Sequence, residues 1–402
     1  MPSFDLSAIE RLADPHPLYQ KMRETDPVHW SEEFQAWFAT GYPEVSEALL
    51  NPHLSNARTS RVPDRLKAID PDLFKDYRRV LSKALFMTDP PEHTRLRRQS
   101  WEAFTPAAVE RWRPAIQRVV DECLDRAEAL GRVDLVKDFA EVIQATVLGE
   151  MFDVPTSDQQ LFCESGVAVA TLFRAPTQDI EAKAKAANDG TLALERYFLE
   201  LIPKRRRQRG RDLVSFLIGR VEAGEMSEEE LSAQCVSFLA AGIVTTAEQL
   251  GNGAYCFLSH PSEIHAMQLD DSLIKGAAQE VLRYAAGGFI FKVATERTVI
   301  AGRTVEPEQI VYIGLASANR DARVFEDPHR FDIQRGNVQR HLAFGLGRHA
   351  CTGSALASAE LEIAYQTLFH RFPKLRLDTS SELPMKWDAF SPRIYTSLPA
   401  LL

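Results

Sequence analysis

Paired cysteines are missing from this 402-residue sequence. Its five cysteines, at 123, 163, 235, 256 and 351, are odd in number, widely spaced and never in a C-x-x-C pair. That excludes a disulfide framework and points to a reducing, cytoplasmic compartment. A membrane-length apolar run is also lacking: the best continuous stretch, Cys235 to Val244, is about half the roughly 20 residues a span requires. Met1 to Asp14 is polar, with no apolar stretch ahead of a small-residue cleavage site, so no signal peptide is expected. Surplus positive charge is absent, with 47 Lys and Arg against 56 Asp and Glu and a formal net charge of −9. This excludes nucleic acid as a general partner. There is no Gly-x-Gly-x-x-Gly following a strand, hence no flavin or nicotinamide fingerprint. No repeat or low-complexity segment is found.

What is present is apolar material for a large core, 45% of residues, arranged mostly with helical period. The spacing predicts helices over 107–129, 139–152, 189–201 and 355–369. Strand-like alternation is confined to Ala36–Thr40 and to a cluster over Phe289–Ile313, with turns at Ala301-Gly302-Arg303 and Glu306-Pro307-Glu308. No linker separates these pieces, so a single integrated domain over 1–402 is expected, β-rich over 25–60 and 285–320. Lys204-Arg205-Arg206-Arg207-Gln208-Arg209 reads as a solvated helix end. Cys123, Cys163, Cys235 and Cys256 fall in apolar helical contexts and read as small core side chains.

Cys351 stands apart. It lies in Phe344-Gly345-Leu346-Gly347-Arg348-His349-Ala350-Cys351-Thr352-Gly353, where the glycines allow tight bends and close approach of the backbone to something flat. A helical pattern begins at Ser354, so the sulfur sits near a helix N-terminus, which favours thiolate over thiol. A lone thiolate in a glycine-lined loop suits a metal ligand. The pattern resembles the haem-binding loop of the cytochrome P450 family, in which a cysteine thiolate is the proximal iron ligand. Zinc on His341, His349 and Cys351 is a competing reading that leaves the glycine pattern unexplained.

A second feature is a long helix. Ser227-Glu228-Glu229-Glu230 is a capping box, and a periodic apolar pattern runs on until His260-Pro261 stops it, about 32 residues and about 48 Å. Gly242 removes a side chain where something must approach closely, and Thr245 offers a hydroxyl to its own helix or to a ligand. Ala241-Gly242-Ile243-Val244-Thr245 is similar to the family's central helix. There the threonine steadies dioxygen and assists proton delivery, a catalytic role the resemblance assigns to Thr245, with Gly242 beside it. The family's usual acid is replaced by Val244, so the proton relay must differ.

The resemblance extends over the whole chain, in family order. It implies a mainly α fold with a helical lobe and a small β-rich lobe enclosing haem b. His93 and Arg97, on one helical face, match the pair that holds a propionate. His349 and Lys292 are further contacts, with Phe344, Gly345 and Gly353 shaping the loop. Glu280 and Arg283 match the family's structural Glu-x-x-Arg, and Arg330 is read as the third member of that triad. Substrate-pocket candidates are Leu239, Ala240, Val244, Phe289 and Phe390, with further pocket walls at Leu172–Asp179, Gly287–Ile290 and Asp388–Arg393.

The expected activity is monooxygenation of a small organic molecule, a secondary-metabolite intermediate being one class. Electrons would come from a ferredoxin and its reductase, docking on Arg97, Arg98, Arg340 and Arg348. Arg58, Arg61, Arg65, Lys67, Arg78, Arg79 and Lys83 form a cationic segment that reads as a charged surface loop, the sharper alternative being that some of these cations meet an acidic substrate or a carrier protein. Because Val244 replaces the acid, nitric oxide reduction with a nicotinamide cofactor and peroxide-driven oxidation are alternatives. A non-catalytic haem binder is a third.

Overall fold

The computed structural model describes residues 4–6, 12, 14–57, 69–173, 179–380, 382–386 and 394–402. The chain divides into two compact units, each built from separated stretches: Met1–Ser55, Ile116–Ala140 and Ala247–Leu402 in the first, Asn56–Ala115 and Glu141–Thr246 in the second.

The first unit holds every strand found among the described residues. Its main sheet has five strands in the order Val28–Ser31, Ala36–Ala39, Ile310–Gly314, Phe289–Ala294, Leu54–Ser55. All neighbours are antiparallel except Ala36–Ala39 with Ile310–Gly314, which run parallel. Ile310–Gly314 is buried along its whole length, as an unbroken apolar strand at a sheet centre should be. One face packs Val311 and Ile313 with Val45, Ala48 and Leu49 of helix Tyr42–Leu50. The turn expected at 301–303 closes hairpin Thr298–Ile300 with Arg303–Val305, with positive φ at Ala301 (46°) and Gly302 (78°). That double positive φ matches strand twist in a two-residue loop.

Two further small sheets, Arg132–Asp134 with Pro399–Leu401 and Arg376–Leu377, and Met385–Lys386 with Ile394–Tyr395, were not expected. Strands of two or three residues carry no readable alternation.

The second unit is helical throughout its described residues. Ile180–Arg207 lies against Gln159–Phe173, and a Cβ on Gly190 would come within 2.9 Å of the Ser165 carbonyl, so glycine permits that approach. Phe152, Phe162 and Phe198 interlock beside it with ring centroids 5.4–6.1 Å apart. The basic run is a helix end paired to acids: Arg205 to Asp153, Arg206 to Glu228 at 2.8 Å, and Arg209 to Glu222. The helix expected over 107–129 is broken into Pro106–Val109 and Arg113–Leu130. Pro114 stands in the first turn of the second piece; it has no N–H to continue a helix from before and disfavours helical geometry at the preceding residue.

The long helix spans Glu228–Leu258, 31 residues, as the caps predicted. Ser227 Oγ accepts from the Glu230 N–H at 3.1 Å, and Glu230 Oε2 accepts from the Ser227 N–H at 2.9 Å. His260 and Pro261 open the next helix. By length and composition this helix could cross a membrane, yet 61% of its most apolar stretch is buried inside the protein, as for a core helix.

Candidate functional site

Cys351 is the exposed cysteine of the five; Cys123, Cys235 and Cys256 are buried and Cys163 is intermediate. Burial pushes the Cys123 thiol up to about 11 and raises Cys163 and Cys235, so those thiols stay protonated. The loop that presents Cys351 is held by its own backbone: Cys351 N–H donates to Phe344 O (2.8 Å), Ala350 N–H to Gly347 O (3.0 Å) and Gly345 N–H to Leu342 O (2.9 Å). Gly345 and Gly347 adopt φ of +67° and +74°, a region costly for any side chain. Helix Ser354–Arg371 starts three residues after the sulfur, with Gly353 as its N-cap. Upstream, Asn319 Oδ1 accepts from the Leu342 N–H at 2.7 Å and pins the entry to the loop.

His341 spends both ring nitrogens locally. Nε2 meets Gln279 Oε1 at 2.8 Å, and Nδ1 accepts from the Ala343 N–H at 3.2 Å. Burial holds its pKa down near 4, so it is neutral. No three His, Cys, Asp or Glu side chains converge as a metal cage among the described residues. The donor set is therefore one exposed sulfur on a glycine-bent loop. It fits iron already held by four porphyrin nitrogens and does not fit zinc.

Behind the loop, Glu280 and Arg283 on helix Ile274–Tyr284 are both 0% exposed and joined by two bonds of 2.7 Å. Arg283 also donates to the carbonyls of Asn319 (2.9 Å), Pro328 (2.9 Å) and Arg330 (3.0 Å). The reading of Arg330 as third member is corrected: it contributes only its carbonyl here, and the residue is exposed. Arg335 supplies the second guanidinium, 3.4 Å from Glu280, with its side chain 7% exposed. The chain turns between the two, so Arg335 reaches back to the carbonyls of Glu326, Asp327 and Arg330.

Lys292 is 1% exposed, and its Nζ donates to the Leu49 carbonyl at 2.8 Å, near the C-terminus of helix Tyr42–Leu50. A cation there is favoured by the helix dipole. Arg348 donates to Pro52 O at 2.9 Å, and Arg340 lies 5.7 Å from the centre of the Tyr42 ring.

In the second unit, His93 and Arg97 stand one turn apart on helix Glu92–Trp101. His93 is 2% exposed, and the Arg97 guanidinium lies 5.5 Å from the centre of the Trp101 ring. Arg95, between them, pairs with Glu230 of the capping box.

Thr245 Oγ1 donates to Ala241 O at 2.8 Å, and both residues are exposed on one face of a helix that is otherwise largely buried. Val244 is half-buried. Gly242 does not serve that open face: a Cβ there would meet Leu148 Cδ1 at 3.3 Å and approach Gln144 at 3.8 Å, so its missing side chain admits helix Glu141–Met151. Leu239 and Ala240, read as pocket walls, are corrected to core residues at 0% and 1% exposure; Leu239 packs toward Gly166. Phe289, in the first unit, sets its ring against Tyr19 (5.5 Å) and Phe38 (5.6 Å). Phe390, with 388–393, lies outside the described residues, as do Arg58, Arg61, Arg65 and Lys67 and most of 172–179. Of the remaining cations in that segment, Arg79 pairs with Glu195 at 2.7 Å and Lys83 with Glu229, while Arg78 lies 5.8 Å from the centre of the Phe74 ring.

The family model for cytochrome P450 matches residues 66–390. A relative from Saccharopolyspora erythraea, cytochrome P450 107B1, is 37% identical over 93% of this chain and 91% of its own. Cytochrome P450 monooxygenase PikC of Streptomyces venezuelae is 33% identical over 94% of this chain and 89% of its own. Among solved structures, P450BioI in complex with hexadec-9Z-enoic acid ligated acyl carrier protein superposes with a TM-score of 0.88 at 28% identity, covering 97% of this chain and 98% of that one. The chain belongs to the cytochrome P450 family, and it is an oxidoreductase of the P450 monooxygenase class. A haem iron is the family's cofactor.

Proposed function

We propose that the protein is a haem-thiolate monooxygenase that inserts oxygen into a small, largely apolar organic molecule of secondary metabolism. The observation that carries this reading is the single exposed thiol of Cys351 on a loop bent by two positive-φ glycines. Haem b, when bound, supplies activation of dioxygen. Cys351 would hold its iron; His93, Arg97, Lys292 and His349 would bind its carboxylates, and Phe344, Gly345 and Gly353 would shape the cradle. The Thr245 hydroxyl stands on the open face with Ala241, where it can accept or pass a proton. Val244 has no ionisable group, so protons beside Thr245 would pass through water, through the substrate, or not by that route at all.

The natural reductant in this reading is a ferredoxin with its reductase, and the setting is cytoplasmic. A carrier-borne substrate belongs to this reading, supported by the P450BioI complex with a loaded acyl carrier protein. The loss of the acid at Val244 favours a second reading, nitric oxide reduction or peroxide-driven oxidation. The test is turnover of the haem-loaded protein under three electron supplies: ferredoxin with dioxygen, a nicotinamide cofactor with nitric oxide, and hydrogen peroxide. Oxygenated product with ferredoxin alone supports the first reading. Direct nicotinamide oxidation by nitric oxide overturns it. A preceding optical screen of compound classes would supply the substrate, because a ligand that expels water from the iron shifts the haem absorption.

A further inference from the structure

The first unit contains a cavity of about 320 Å³ whose lining shares only Gly288 with the pocket walls named above. It is walled by the start of helix His16–Thr25, by the end of the long helix and by residues 284–286 and Gly288, with Ala316, Arg320 and Tyr395. The long helix gives it Asn252, Tyr255 and Cys256, and Ser259 follows directly after its last residue. A spacing of three and four puts the three helical residues on one face.

Its charge balance is unusual. Arg320 is only 5% exposed and forms no ion pair among the described residues. Its guanidinium lies 3.5 Å from the centre of the Tyr284 ring; Nη2 donates to Tyr284 O at 2.8 Å, and Nη1 stands 3.4 Å from His329 Nδ1. Nε has no hydrogen-bond partner among the described residues, nor does Nδ1 of His16, another lining group. A buried cation without a counter-charge is costly, and a buried donor left unmade adds to that cost. The carboxylate in the lining, Asp14, does not serve as that counter-charge: it is exposed and accepts from the His16 backbone N–H at 3.0 Å. His260 directs Nδ1 to the Cys256 carbonyl at 2.7 Å. The remaining walls are organic in character, with the Tyr255 and Tyr395 rings stacked obliquely 4.5 Å apart and small side chains at Ala285, Ala286 and Ala316.

We propose that this cavity is a binding site for a small organic carboxylate, which accepts hydrogen bonds from Arg320 Nε and His16 while its body lies against Tyr255, Tyr284 and Tyr395. Arg320 Nε and His16 Nδ1, the two lining atoms without a partner among the described residues, match the two oxygens of a carboxylate and fall short of the several donors a phosphate engages. The volume lies at the small end for ligand pockets, the size of a single-ring acid. This reading does not depend on the reaction assigned to Cys351.

The test is calorimetric titration of the haem-loaded protein with benzoate, with benzyl alcohol and inorganic phosphate as matched probes. Benzoate is expected to bind at least about tenfold more tightly than either, as one charge-assisted hydrogen bond implies. Arg320→Gln is expected to weaken benzoate about tenfold or more. Because that variant removes a buried packing group, Ala316→Leu, which fills the cavity, is the second arm. It is expected to abolish benzoate binding while leaving the melting temperature unchanged. Benzoate held no better than benzyl alcohol, phosphate held as well as benzoate, or benzoate binding untouched by Ala316→Leu would each overturn the proposal.

Discussion

A thiolate is disfavoured where a cysteine is buried, as the raised pKa of Cys235 illustrates, whereas Cys351 is exposed. Cys351→Ser changes one atom on an exposed side chain, so the fold should persist. The carbon-monoxide complex of the reduced haem protein is expected to lose its thiolate absorption; an unchanged spectrum would falsify the ligand assignment. Thr245 was legible as a candidate from its neighbours, yet its rotamer was not: the hydroxyl donates to Ala241 O, which leaves its lone pairs on the open face. Thr245→Ala is expected to cost about 1 kcal/mol or less in stability. Its larger expected effect is release of hydrogen peroxide in place of product. Full coupling of electrons to product in that variant would show the hydroxyl to be dispensable. Gly242 illustrates the limit of reading one residue. A small side chain announces close approach, but only packing tells that the neighbour is Leu148.

Elements came through the sequence in proportion to their length. The long helix was bounded to within a residue because both ends carry chemical stops, a capping box and a proline. The two- and three-residue strands near the C-terminus carried no such marks. Glu-x-x-Arg was legible as a pair on one helical face, whereas its third partner was misassigned. Arg330 and Arg335 are both plausible by composition, and the turn between them decides which guanidinium reaches Glu280. Removing one side of this buried pair leaves an unpaired charge. Glu280→Ala is therefore expected to cost about 3–5 kcal/mol and to yield protein poor in haem. Arg330→Ala, which leaves its carbonyl in place, is expected within about 0.5 kcal/mol of the parent. Urea unfolding of the two variants distinguishes them; equal losses would restore Arg330 to the network.

For the whole molecule, the buried groups set the pH dependence of stability. Glu360, on the helix that follows Cys351, is 0% exposed, and neither carboxylate oxygen has a hydrogen-bond partner among the described residues. Burial pushes its pKa up to about 8 from 4.5. Between those values the unfolded chain has released a proton that the native protein retains. Stability from this group is thus fully present below pH 4.5 and is lost as pH rises toward 8, with a slope of up to about 1.4 kcal/mol per pH unit. Denaturant unfolding of the haem-loaded protein from pH 5 to 8 is expected to show this decline, and Glu360→Gln to flatten it. An identical slope in the variant would mean that another group carries the dependence. The division of the chain adds a constraint of its own. Four crossings at 55–56, 115–116, 140–141 and 246–247 interleave the two units, and the last falls inside the long helix. Neither unit is a continuous stretch of sequence, which is why no linker could be read.

The sequence by itself determined the candidate ligand sulfur, the helix that bears Thr245, the Glu280–Arg283 pair and the family they imply. Each is a local pattern, in which backbone conformation or helical spacing forces the residue type. Tertiary structure alone decided that Arg335 replaces Arg330, that Leu239 and Ala240 serve the core, and that Arg320 stands uncompensated beside a cavity. Those outcomes depend on which distant segments meet, and contacts between residues far apart in the chain leave no periodic trace in it.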